Sequence, residues 1–110
     1  MKQGKCLRIY LTESHRIDGA PAIEAVISLC RDAGLRGVSV MRGIEGFGLH
    51  GLHSTSFLSL SSDLPVIVEV VDSSDLIDKA LAMMKPKLGN SLVAVWPVDI
   101  MRSNEESGDA

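Results

Sequence analysis

The sequence predicts an α+β domain: a βαββαβ sandwich in which a four-stranded antiparallel sheet carries two helices on one face. Strand-like and helix-like segments run β-α-β, then a long connection, then β-α-β again. Each helical segment has a single apolar stripe and so covers a sheet with one side only. The third strand is apolar on both faces, which calls for cover on both sides of the sheet.

The first strand is Cys6 to Thr12, where Leu7, Ile9 and Leu11 share one face. A polar link from Glu13 to Gly19 follows, ending in Asp18-Gly19. Pro21 suits the first turn of a helix, because its missing N–H costs nothing there. Ile23, Val26, Ile27 and Cys30 form that helix's stripe, and Gly34 caps its C-terminus. Val38 to Ile44 is the second strand. Leu64 to Val71 is the third, with Val66, Val68 and Val70 pointing one way and Ile67 and Val71 the other. Ser73 or Ser74 caps the second helix, whose stripe is Ile77, Ala80, Leu81 and Met84, and Pro86 and Gly89 close it. Met83 and Met84 straddle this stripe and read as core. Leu92 to Trp96 begins the last strand, which Pro97 restricts to an edge or a bend. Two βαβ units in this order make a ferredoxin-like sandwich. Its helix-free face predicts a homo-oligomer.

A chain of 110 residues, 45% hydrophobic and 23% charged, fits one folded domain. That domain is expected over residues 1–102, with a disordered polar tail at 103–110. A net charge of −3 without a basic run argues against nucleic acid as a partner. No apolar stretch is long enough to span a bilayer, and the opening residues lack a secretion-signal pattern. Cys6 and Cys30 form no CxxC pair and fall in apolar patterns, as reduced core thiols of a cytoplasmic protein do.

The densest chemical signal is Gly43-Ile44-Glu45-Gly46-Phe47-Gly48-Leu49-His50-Gly51-Leu52-His53. Four glycines within so short a span let a ligand approach the backbone closely. The cluster opens a connection, flexible at about 46–62, that is long for a hairpin, and long loops on rigid scaffolds carry binding residues. The GxxGxG pattern follows a strand without opening a helix, so it fails as a dinucleotide fingerprint.

With Arg8-Ile9-Tyr10-Leu11-Thr12-Glu13, Gly34 to Gly48, Leu64 to Asp72 and Leu88 to Val93 occurring in this order, the chain resembles the PII-like family of domain of unknown function 190. The resemblance spans about residues 7–100. It implies a homotrimer that senses a small molecule in clefts between subunits. In nitrogen-regulatory relatives each cleft joins a glycine-rich loop start to a glycine turn before the last strand. By that correspondence Gly46, Phe47 and Gly48 are the first element, and Lys87, Leu88, Gly89 and Asn90 the second. Backbone N–H groups in such turns form nests for phosphate, Arg42 and Lys87 add charge, and His50 is a further ligand-facing candidate. The implied ligand is an adenine nucleotide (AMP, ADP or ATP) or another small anion. Asn90-Ser91-Leu92 stands where those relatives carry Asp-Gly-Lys, and no tyrosine lies near the tip of the long loop. The implied role is regulatory and non-enzymatic: the ligand orders the loop for a target protein, such as a membrane transporter or an enzyme.

Two other classes compete. His50 and His53, with His15 or a carboxylate, would suit a divalent-metal tolerance module, although a zinc site wants three or four ligands. A small ferredoxin-like enzyme would use Glu45 with His50 as acid and base, or Cys6 or Cys30 as nucleophile. Arg8 and Glu69 read as a cross-strand ion pair rather than as ligand contacts.

Overall fold

Alternation along β1 (Lys2–Thr12) puts Leu7, Ile9 and Leu11 on one face and Cys6, Arg8 and Tyr10 on the other. In this computed structural model, which describes residues 2–43 and 63–105, that strand is central to the sheet. The strand order is β4 (Ser39–Arg42), β5 (Pro65–Ser73), β1, β6 (Val93–Ile100), and every neighbouring pair is antiparallel. This is the predicted ferredoxin-like sandwich. Pro97 is accommodated because β6 is an edge strand, paired with β1 alone.

Leu7, Ile9, Leu11, Val66, Val68 and Val70 form the sheet side of the core. The helix side comes from α1 (Ala22–Asp32) and α2 (Ser74–Met84). Helix α1 is centred on Ala22, Val26 and Cys30, with Ile23 half-buried beside them. Its end is a Schellman motif: Gly34, at φ +93°, donates to the Arg31 carbonyl, and Leu35 N–H reaches the Cys30 carbonyl. Helix α2 buries Ile77, Ala80 and Met84, and Ser73 Oγ accepts from Leu76 N–H as its N-cap. Among the described residues no helix is long and apolar enough to cross a membrane.

The predicted polar link proves to be folded. Residues Arg16–Ile17 and Ala20–Pro21 pair as a two-residue-turn hairpin, β2 and β3, with Asp18 and Gly19 both at positive φ. That is the backbone a type I′ turn demands, and Asp-Gly supplies it. Ile17 is thereby buried in the main core, and Pro21 stands at the N-cap of α1 instead of inside its first turn.

Asp72, at the end of β5, is the buried charged group of this core. Its carboxylate accepts from Arg36 N–H, Arg36 Nη2 and Ser73 N–H, tying the α1–β4 connection to the start of α2. Burial alone would raise its pKa. The Arg36 side chain and the two backbone donors outweigh that and hold it below the usual carboxylate value. A depressed folded-state pKa stabilises above the unfolded value near 4 and loses that contribution as pH falls through the folded pKa. Asp72→Asn is therefore expected to cost about 1–3 kcal/mol in urea unfolding at pH 7. The penalty should shrink below about pH 4, where the wild-type carboxylate itself protonates. An equal penalty at both pH values would rule out the charged pair as its source.

Candidate functional site

The register decides which loops meet. Thr12 lies opposite Pro65, Arg42 opposite Val66 and Ile9 opposite Val93. The ends of β1 and β4 and the starts of β5 and β6 therefore share one end of the sheet. Arg42, at the end of β4, and the Gly89 turn, before β6, both adjoin that end.

At the β4 edge, Gly43 N–H donates to the Pro65 carbonyl at 2.7 Å, closing the base of the long connection. A Cβ on Gly43 would lie 2.6 Å from Pro65 Cγ and 3.3 Å from the Pro65 carbonyl oxygen. Glycine is thus needed for close approach, and the rigid proline ring cannot swing aside. The end of β1 braces the same base: Glu13 N–H donates to the Leu64 carbonyl, and Ser14 Oγ donates to Asp63 Oδ1. Arg42 Nε is 3.1 Å from Glu13 Oε1, an ion-pair contact off the hydrogen-bond line, and this buried oxygen has no hydrogen bond.

At the β6 edge, a single 3-10 turn over Lys85–Lys87 leads into Leu88, Gly89 and Asn90. Leu88 is buried in the main core and anchors the turn. Gly89 has φ +61° and open space where a Cβ would be, and Asn90 is exposed. Ser91 N–H returns to the Leu88 carbonyl, and Tyr10 N–H to the Leu92 carbonyl. Lys87 Nζ donates to Asp18 Oδ2 at 2.7 Å, joining this turn to the β2–β3 hairpin.

Of the residues expected to bind ligand, Arg42, Lys87, Leu88, Gly89 and Asn90 thus gather at one end of the fold. They do not form one cluster. β4 and β6 are opposite edges, three strand spacings apart, or about 14 Å. Gly46, Phe47, Gly48 and His50 lie outside the described residues, as do Glu45, His53 and the rest of the connection over 44–62. Sequence reasoning missed the acidic partners. Both candidate cations pair with carboxylates of the connection after β1, Glu13 for Arg42 and Asp18 for Lys87. The acidic residues of that polar link were visible, but only the strand register shows which cation each one meets.

The helix-free face has a different character. Arg8 pairs across the strands with Glu69, as expected, and its guanidinium lies 5.4 Å from the Trp96 ring centroid. Around this neutralised centre stand Met41, Ile67, Val71 and Trp96, with Val71 47% and Trp96 38% exposed. Burial raises both thiols, Cys30 to about 11 and Cys6 with help from Glu69, and a protonated thiol is a poor nucleophile. Among the described residues, no three side chains of His, Cys, Asp and Glu gather as metal ligands.

The model of the family DUF190, described as an uncharacterized ACR family, matches residues 4–100. The UPF0166 protein MJ1524 of Methanocaldococcus jannaschii is 31% identical over 91 residues, covering 83% of this chain and 84% of the relative. A UPF0166 protein of Aquifex aeolicus is 31% identical over 98 residues, covering 88% and 92%.

The chain belongs to DUF190.

Solved structures agree on the fold of this DUF190 chain. CPII, a nitrogen regulatory PII-like protein from Thiomonas intermedia K12 bound to ADP, AMP and bicarbonate, superposes with a TM-score of 0.68. Identity is 20%, and the match covers 92% of this chain and 91% of that one. The apo form of CPII gives 0.63 at 17% identity, covering 92% and 95%. The expected DUF190 membership is thereby shown, and the likeness to CPII bears out the ferredoxin-like fold.

The base of the DUF190 loop depends on Gly43. Gly43→Ala should force β4 and β5 apart at Pro65 and lower stability by about 1–3 kcal/mol, the usual scale of overpacking. Amide exchange at Gly43 and Arg42 should accelerate more than exchange in β1. Undiminished protection there would mean that the strand ends tolerate the methyl group.

Proposed function

We propose that this DUF190 protein is a non-enzymatic small-molecule sensor that binds an adenine nucleotide in clefts between the subunits of a homotrimer. The observation that carries the reading is the separation of Arg42 and Gly43 from the Gly89 turn. They share one end of the sheet but occupy opposite edges. Setting the β4 edge of one copy beside the β6 edge of another would bring them to one cleft. The apolar helix-free face supports self-association, since exposed apolar patches of this kind mark interaction surfaces.

The chemistry suits phosphate. Gly89 at positive φ, beside the exposed Asn90, offers backbone N–H groups to an anion. Among the described residues Arg42 meets Glu13 through Nε alone, and a guanidinium fork grips phosphate oxygens in pairs. That CPII, sharing the fold, was solved with ADP and AMP supports this ligand class by analogy. In this reading ligand binding reorganises the connection over 44–62, which presents or withdraws a surface for a target protein.

Thermal unfolding against AMP, ADP and ATP tests the proposal. A ligand that binds only the folded state stabilises by about 2.7 kcal/mol at a hundred times its dissociation constant. Gly89→Asn retains a residue that accepts positive φ and should keep much of that shift. Gly89→Asp adds a negative charge at the same position and should abolish it. Sedimentation should give a trimer. Stabilisation by none of the three nucleotides, or an equal response in Gly89→Asp, would overturn the nucleotide site.

A further inference from the structure

We propose that Lys87 and Asp18 form an exchangeable ion pair: a bound ligand's phosphate takes the place of the Asp18 carboxylate on Lys87 Nζ. Asp18 thereby sets the affinity of the site and couples its occupancy to the β2–β3 hairpin. The inference rests on the nucleotide-sensor reading above.

The two candidate cations are engaged differently. Arg42 approaches Glu13 through Nε, so its terminal nitrogens remain available, and its side chain is 65% exposed. It can accept an anion without giving up its partner. Lys87 presents a single nitrogen, and Asp18 holds it at 2.7 Å. A phosphate can gain full use of that charge only by displacing the carboxylate. Displacement is feasible because the side chains of Lys87 and Asp18 are 42% and 74% exposed, and such surface pairs are weak.

Asp18 is also a built-in competitor rather than a passing contact. It occupies the first central position of the type I′ turn, at φ +52°, and the adjoining Ile17 is buried in the core. The turn therefore fixes the backbone that carries the carboxylate beside the residue before buried Leu88. Lys87 is fixed from the other side, between the 3-10 turn and buried Leu88. Exchange leaves Asp18 without its cation and the hairpin without its tie to the turn before β6. Occupancy is thereby reported at the connection whose other end, Glu13 and Ser14, braces the base of the long loop.

Calorimetric titration with AMP and with adenosine would test the exchange in wild type, Asp18→Asn, Lys87→Gln and the double variant. Asparagine accepts positive φ and keeps the turn. Asp18→Asn is expected to tighten AMP binding about 2- to 5-fold, the scale of one surface ion pair, and to leave adenosine unaffected. The gain should fade with added salt and vanish in the Lys87→Gln background. If wild type binds AMP and Asp18→Asn binds it equally or more weakly, the exchange is overturned while the nucleotide site stands. An equal gain for adenosine would also overturn it, since no anion is then involved. Failure of all four proteins to bind AMP, ADP or ATP would overturn the nucleotide reading and the exchange together.

Discussion

The register between β1 and β5 is the constraint on which the rest of the molecule depends. It runs unbroken from Gly4 opposite Ser73 to Thr12 opposite Pro65. A slip of β1 by one residue would turn Leu7, Ile9 and Leu11 away from the helices and bring Arg8 into the core. The same register places Asp72 where Arg36 and Ser73 can satisfy it, and Pro65 where Gly43 closes the base of the loop. The core and the candidate site are therefore two consequences of one pairing.

At the loop end, electrostatics rather than packing gives the fold its character. The connection after β1 passes between the two sheet edges and supplies a carboxylate to each candidate cation, Glu13 to Arg42 and Asp18 to Lys87. An incoming anion thus meets positive charges that already have partners. In the proposed sensor, such an arrangement would moderate affinity and so favour release as well as binding. Glu13 adds a further feature: a buried carboxylate oxygen without a hydrogen bond directly beside the loop base. Its charge is met by the Arg42 guanidinium at 3.1 Å.

The helix-free face and the two edge strands carry the question of assembly. A central Arg8–Glu69 pair under Trp96 removes net charge from the middle of the face and leaves apolar side chains around it. Both edges also present unpaired backbone, including the stretch of β6 that contains Pro97. These features fit a chain that completes itself against copies of its own kind.

Much of this was legible from local pattern. Alternation in β1, β-branched density in β5 and the 3.6-residue stripes of both helices fixed the elements, because each depends only on neighbours a few residues away. Asp18-Gly19 announced a turn, yet the burial of Ile17 was hidden, since one apolar residue in a polar segment has no period. The positions of Arg42, Gly43 and Gly89 could be suspected from glycine chemistry and family resemblance. The sequence by itself therefore determined the elements and their order. Only the tertiary structure decided that Arg42 and the Gly89 turn share one end of the sheet at opposite edges, and that Glu13 and Asp18 pair with Arg42 and Lys87. Those contacts join residues far apart in the chain, and no local periodicity encodes a distance set by strand register.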